Sequence, residues 1–312
     1  MGSGVETAAR APTPARPARS NAMQAAAVGR RVAALIAAAS VELSPRDGLD
    51  SAALGGLLPA GTTVFVDHPA RATHHDIVAA CARLRRAGLV PVPHLAARRL
   101  ASFTQLDDLL RRARAEAAVE RALVIAGDPD RQLGPFRDSL DLLASGALEG
   151  RGLTGILFAV YPESHPRIGE RRLDAALDAK LELARRRGLE PSLVTQFSFA
   201  AAPIAACIRA LRARGIGCPI AIGIAGPGNI ATLAKFAIRC GVGASLQALA
   251  RGEAALARVR TRATPDALIR ALVAAEDPKA PIDGLHIYTF GHLRRTALWR
   301  RARLEHDAVA SG

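Results

Sequence analysis

The feature that most constrains the fold is a repeated unit: a short apolar run ends in a polar or glycine-rich turn, and a helical pattern follows. The runs Leu193–Phe199 and Ala221–Asn229 are the clearest cases, and Phe236 lies in the helical stretch after the second. In parallel α/β folds, the loops after strand ends carry polar side chains without disturbing the core. We therefore expect the functional site at the carboxyl ends of the strands.

Eight such runs predict strands. They are Ser40–Leu43, Thr63–Asp67, Val90–His94, Ala122–Ala126, Gly155–Tyr161, Ser192–Phe197, Pro219–Ile224 and Gly284–Tyr288. The 312 residues, 50% of them hydrophobic, suffice for one large core. The pattern predicts an α/β protein with a single-domain (β/α)8 TIM barrel over residues 23–305. A doubly wound sheet is the alternative, but no G-x-G-x-x-G turn follows an early strand.

The ends of the chain differ in composition from the rest. Residues 1–22 are rich in Ala, Arg and Pro and contain one acidic residue, Glu6, which predicts a disordered arm. A transit peptide, or residues added before a native start at Met23, would have a similar composition. Residues 306–312 are predicted to form a short tail.

Net charge is +14, carried almost entirely by arginine. The arginines are scattered over helical stretches, and aromatics make up only 4% of the chain, so stacking platforms for nucleic acid are lacking. The four cysteines are far apart, as in a reduced cytoplasmic protein. No apolar run approaches the roughly 20 residues that span a bilayer. We expect a cytoplasmic protein that binds neither nucleic acid nor membrane.

Glu42 is the preferred general acid. It lies between apolar neighbours inside the first strand, where burial would raise its pKa and keep a proton available near neutrality. A structural carboxylate paired with an arginine is the alternative.

Three further residues suit a ligand site. Asp128 follows Gly127 in a turn after the fourth strand, where it could stabilise a cation or cap the next helix. Gln196 could recognise an amide-like heterocycle edge or be satisfied by backbone. Phe236 could stack on a ring or belong to a helix core.

The histidines give weaker signals. His94 and His165 could hydrogen-bond phosphate or flavin atoms, although isolated histidines are often only satisfied polar groups. His68, His74 and His75 lack a carboxylate or cysteine at a recurring helical offset, so no metal site is predicted.

From about Ser40 to Thr289 the chain resembles the methylenetetrahydrofolate reductase family. The motifs are Val41-Glu42-Leu43-Ser44-Pro45, Pro93-His94-Leu95, Gly127-Asp128, Tyr161-Pro162-Glu163-Ser164-His165-Pro166 and Thr195-Gln196-Phe197. The resemblance implies a barrel that holds FAD and passes a hydride from NAD(P)H through it to 5,10-methylenetetrahydrofolate, giving 5-methyltetrahydrofolate. NADH and NADPH both remain open, as does assembly into a homo-oligomer.

The resemblance also implies roles for single residues. Glu42 would supply the proton that opens the five-membered ring of the folate to an iminium, and Asp128 would lie near flavin and pterin. Gln196 would hydrogen-bond the pterin, and Phe236 would stack on folate or nicotinamide in turn. FAD contacts would fall to His94, Asp128, Tyr161, His165, Asp174 and Lys180.

The departures from the family pattern lie on the flavin side. Ala126 stands where the family has an arginine, Asp67 stands where it has a hydroxyl residue, and Phe136 replaces a tyrosine. Losing a cation and adding an anion near a diphosphate should each weaken FAD binding. A folate-binding protein or non-redox folate enzyme that has lost FAD is therefore the second hypothesis.

Overall fold

A computed structural model of the protein describes residues 17–242 and 262–309. Eight parallel strands close into a barrel in the order β1-β10-β7-β6-β5-β4-β3-β2, which confirms the predicted TIM barrel. Their bounds are β1 Ser40–Leu43, β2 Thr63–Val66, β3 Val90–Ala96, β4 Arg121–Ile125, β5 Gly155–Val160, β6 Glu190–Thr195, β7 Ile220–Ala225 and β10 Gly284–Tyr288. Two short strands, β8 (Gly228–Asn229) and β9 (Arg262–Ala263), pair antiparallel outside the barrel.

Helices surround the barrel. In the described residues their bounds are α1 Pro17–Ala38, α2 Ser51–Leu57, α3 His74–Arg86, α4 Phe103–Ala117, α5 Ser139–Ala144, α6 Ala147–Gly150, α7 Glu170–Arg186, α8 Ala201–Ala213, α9 Ile230–Cys240, α10 Asp266–Ala274 and α11 Leu293–Val309. Local sequence fixes several starts. Thr73 and Asp76 form a capping box on α3, and Ser102 caps α4 through the Gln105 amide.

The chain ends differ in part from the predicted boundaries. Helix α1 begins at Pro17, six residues inside the predicted arm, and it packs against α10 and α11. The Arg31 guanidinium pairs with the Glu276 carboxylate at 2.8 Å, linking α1 to the segment after α10. Helix α11 runs to Val309, into the predicted tail. Residues 1–16 and 310–312 lie outside the described residues.

Strand periodicity divides the core into two parts. The larger part lies between strands and helices and is built from residues such as Val41, Leu43, Val64 and Val66. A smaller plug fills the barrel interior with the alternate side chains Phe65, Val92, Leu123, Leu157 and Val194. Because the interior is packed at this level, any ligand site must lie above the plug, at the carboxyl ends of the strands.

Candidate active site at the carboxyl end of the barrel

Glu42 points into the barrel at the level where the apolar plug ends. On one side, Glu42 pairs in register with Phe65 of β2. On the other side, Ser40 of β1 pairs with His286 of β10, and the same register brings Tyr288 level with Glu42. The Thr289 hydroxyl donates to the Glu42 backbone carbonyl at 2.9 Å. The carboxyl group is therefore held by its strand, between β2 and β10.

Burial dominates the electrostatics of this carboxyl group. Desolvation, followed by the negative charges of Asp67 and Asp47, raises the pKa of Glu42 to about 8. Within the described part of the chain no arginine or lysine forms an ion pair with Glu42, so the structural ion pair weighed above is absent there. A carboxyl group in this state holds its proton at neutral pH, as a general acid requires.

Asp67 follows β2 and lies next to Glu42. Burial raises its pKa to about 6, against the hydrogen bond that it receives from Ser44. The Ser44 amide in turn donates to Asp47 Oδ2 at 3.1 Å. We call Glu42, Asp67 and Asp47 the acidic group. The sequence predicts Asp67 at the end of the second strand and marks it as a departure from the family pattern, but it does not reveal the contact with Glu42.

A cavity of about 510 Å³ opens beside the acidic group. Asp47 lines one wall, and His292 directly before α11 lines another together with Arg294 and Arg295 at the start of this helix. The cavity therefore gives solvent and small molecules a route to the Asp47 side of the group.

Asp128 lies on the opposite side of the rim, after β4. Its carboxylate is 66% exposed and stands 4.0 Å from the Arg99 guanidinium, whose side chain is only 11% exposed. Arg99 also contributes, after desolvation, to lowering the pKa of His68 to about 4. Sequence reasoning missed Arg99, although the pair Arg98-Arg99 directly after an apolar strand was a visible signal.

Arg98 explains why Arg99 is held at the rim. The Arg98 guanidinium donates to the Arg137 carbonyl at 2.7 Å and to the Pro129 carbonyl at 3.1 Å. These bonds tie the turn after β3 to the loop after β4. A cation therefore stands beside Asp128, although the arginine expected at position 126 is an alanine.

Gln196 and an aromatic cluster occupy the ends of β6, β7 and β10. Gln196 is half-buried, and its side-chain oxygen accepts from the Phe197 amide at 3.1 Å, so backbone satisfies one of its groups. The aromatic cluster consists of Phe197, Phe199, Phe236, Tyr288 and Phe290. The Phe236 and Phe290 rings lie 4.5 Å apart, and Phe290 takes a left-handed φ of 50°.

Helix α9 crosses the mouth of the barrel and carries Phe236 over it. Phe236 meets Phe290 after β10, while Cys240 at the other end of α9 stands near Tyr161 after β5. A Cβ on Gly241 would come within 2.7 Å of Pro166, which shows how closely the end of α9 approaches the loop after β5. Sequence reasoning predicted this segment only as an ordinary barrel helix. Leu233 and Ala237 of this helix pack onto Phe197, whereas Phe236 stays half-buried.

Tyr288 links the two halves of the site. Its hydroxyl donates to the Thr195 carbonyl at 3.1 Å, and its ring lies 5.7 Å from Phe197. Burial, with the charge of Glu42 second, raises its pKa. The contact is close because residue 223 is glycine: a Cβ there would stand 2.1 Å from the Thr195 oxygen and 2.7 Å from the Tyr288 ring.

Three of the residues assigned to FAD lie near the strand ends. Tyr161 and His165 pack edge to face at 4.9 Å after β5. His94 lies inside the barrel against the edge of Phe65, and burial lowers its pKa to about 3. Among the described residues its buried Nε2 atom has no hydrogen-bond partner.

The other two residues on the flavin side, besides Asp128, belong to the outer helices. Asp174 of α7 is ion-paired with Arg214 at the end of α8. Lys180 lies with its Nζ atom 5.2 Å from the ring centre of Phe158, and burial lowers its pKa. The ion pair of Asp174 and the ring contact of Lys180 are thus with Arg214 and Phe158, and not with Glu42, Gln196 or Tyr288.

His74, His75 and Asp108 place one ligand atom each within 4.8 Å of one another. The Gln105 side-chain oxygen accepts from the Ala101 amide, so its nitrogen donates to His74 Nδ1 at 3.0 Å. His74 Nε2 must then carry the hydrogen that faces Asp108 at 3.3 Å. The Nδ1 lone pair of His74 therefore accepts a hydrogen bond from Gln105 and is not free to bind a metal.

No family model matches the chain. Among solved structures, it is similar to a protein described as a putative lyase/mutase from Burkholderia cenocepacia, with 15% identity over 90% of each chain and a TM-score of 0.44. It is also similar to dihydropteroate synthase from Thermus thermophilus, with 13% identity over 88% of this chain and 93% of that one and a TM-score of 0.46. Structural similarity at this level does not indicate an activity.

None of the described helices is both long enough and apolar enough to cross a bilayer.

Proposed function

We propose that the protein is an enzyme that binds a reduced folate at the carboxyl end of the barrel and protonates it from Glu42. The substrate would be 5,10-methylenetetrahydrofolate and the product 5-methyltetrahydrofolate, as the sequence resemblance implies. The observation that carries the proposal is the carboxyl group of Glu42, enclosed in the barrel without a cationic partner in the described residues and with a pKa of about 8.

The chain's own residues divide the work as follows. Glu42 donates its proton to the ring nitrogen whose bond to the methylene carbon breaks, and the folate becomes an iminium cation while Glu42 becomes a carboxylate. The carboxylates of Asp67 and Asp128 favour this developing positive charge. Gln196 would bind the heterocycle edge, and Phe236, half-buried on α9, would form a wall for a flat ring.

The hydride is a separate matter, since the resemblance assigns it to NAD(P)H and FAD. The described residues do not fit FAD well: Asp174 is engaged by Arg214, Lys180 is turned onto Phe158, and Asp67 places an acid where a hydroxyl group was expected. The nucleotide half of the cofactor thus lacks two of its expected partners.

A second candidate function follows from the same mismatch. The protein would bind a folate and use Glu42 in acid-base chemistry without a redox step. The engagement of Asp174 and Lys180 away from the strand ends favours this alternative.

Two titrations separate the candidates. FAD is added to the purified full chain while visible absorbance is recorded, and binding of 5-methyltetrahydrofolate is measured by calorimetry. Flavin uptake with folate-dependent oxidation of NAD(P)H supports the reductase. Folate binding with no flavin uptake and no NAD(P)H oxidation supports the second candidate, and absence of folate binding rejects both.

Two variants test the acid. We expect Glu42→Gln to lower folate reduction by about a hundredfold or more, since general acid catalysis contributes about 10²–10⁴. Oxidation of NAD(P)H by menadione should be largely spared. Glu305→Gln, which changes an exposed carboxylate on α11, is the matched control. Folate reduction by Glu42→Gln at the parent rate would disprove the assignment.

A further inference from the structure

We infer that Asp67 is a positioning residue for the proposed acid step, because its carboxylate keeps the neighbouring Glu42 in the proton-bearing form. The catalytic consequence rests on the proposed function, whereas the effect on Glu42 itself can be measured without any substrate.

Strand pairing places the two carboxyl groups side by side. Glu42 pairs with Phe65 and Leu43 with Val66, and the Asp67 amide donates to the Leu43 carbonyl at 3.1 Å. Since side chains alternate along a strand, Asp67 points to the same side as Phe65, into the barrel and directly above it. Neighbouring strands of one barrel thus direct both acids to the same space.

The surroundings do not neutralise either acid. In the part of the chain that the structure describes, no arginine or lysine pairs with Asp67. Its buried Oδ1 atom has no hydrogen-bond partner among the residues that the structure describes. Ser44 donates to Asp67, and Asp47, which faces His292, adds a further negative charge from the loop after β1.

Two uncompensated carboxyl groups in one enclosed space do not ionise together. After desolvation, the negative charge of Asp67 raises the pKa of Glu42 more than that of Asp47 does. Among the described residues, Tyr288 on β10 is a further titratable group that interacts with Glu42. Asp67 loses its proton first, because the hydrogen bond that it receives from Ser44 favours its ionised form. Between these two ionisations the pair holds one proton, and that proton is on Glu42.

The test is a carbon NMR titration of the full chain labelled at the glutamate carboxyl carbons, with the Glu42 signal assigned by its loss in Glu42→Gln. We expect Asp67→Asn to move the Glu42 midpoint to lower pH by about one unit, in line with the effect of a nearby like charge. Asp67→Glu should retain most of the parent midpoint. Asp47→Asn is the matched control, and its shift should be smaller.

Folding is checked for each variant by circular dichroism, and Asp67→Ser, which retains a hydroxyl group for Ser44, is a second neutral replacement. A folded neutral variant with an unchanged Glu42 midpoint would overturn the inference. The rate profile supplies the other readout: relative to the parent, folate turnover of Asp67→Asn should fall about tenfold more at alkaline than at acidic pH. A shifted midpoint without any folate turnover would leave the inference standing and reject the proposed function alone.

Discussion

The ionisation of Glu42 makes a prediction about stability that does not depend on any substrate. Its pKa rises from 4.5 to about 8 on folding, so the folded state binds the proton more tightly than the unfolded state. The stability linked to this proton is fully present below the unfolded pKa and is lost as the pH rises through the folded one. The parent protein should therefore carry a cost at alkaline pH that a neutral side chain avoids.

The size of this cost follows from the two pKa values. Each unit of difference between the two pKa values corresponds to about 1.4 kcal/mol. Between about pH 5 and about pH 8.5, the stability of the parent should therefore fall by about 4 kcal/mol as an order of magnitude. Glutamine has nearly the shape of the protonated acid and no charge to desolvate. The stability of Glu42→Gln relative to the parent should thus rise by about 4 kcal/mol between these pH values.

Urea unfolding followed by circular dichroism measures the effect at both pH values. Comparing variant with parent at each pH cancels the titration of groups that do not interact with Glu42, including His94 and His286, whose pKa values burial lowers to about 3. Glu305→Gln should show no pH-dependent difference. If the difference between Glu42→Gln and the parent were equal at both pH values, Glu42 would not be a buried acid and the mechanism above would lose its basis.

Two further predictions concern the contact between β6, β7 and β10. Gly223→Ala should lower the free energy of unfolding by about 2–4 kcal/mol, because backbone rather than a flexible side chain obstructs the new methyl group. Gly284→Ala, where a Cβ meets nothing within 4 Å, should change it by less than about 1 kcal/mol; equal effects in urea unfolding would contradict the packing described. Tyr288→Phe removes the 3.1 Å hydrogen bond to the Thr195 carbonyl and should cost about 1 kcal/mol in the same assay, and an unchanged midpoint would show that this bond contributes nothing.

The sequence by itself determined the barrel and the level of the candidate site. Short apolar runs that end in polar turns define strands such as β1 and β6. The rule that parallel strand ends share one rim places Glu42, Gln196 and Asp128 at the same end. These inferences need only local patterns and a general rule of topology. For the same reason the enclosed state of Glu42 was foreseeable from its two apolar neighbours.

Only the tertiary structure decided which side chains meet across the rim. Arg99 reaches Asp128 because Arg98 ties two loops together, and α9 carries Phe236 over the mouth to meet Phe290. Asp174 turns to Arg214 on the next helix, which no spacing within one segment reveals. The physical reason is that periodicity fixes the direction of a side chain relative to its own strand or helix, whereas charge pairing and ring packing depend on distances between segments far apart in the chain.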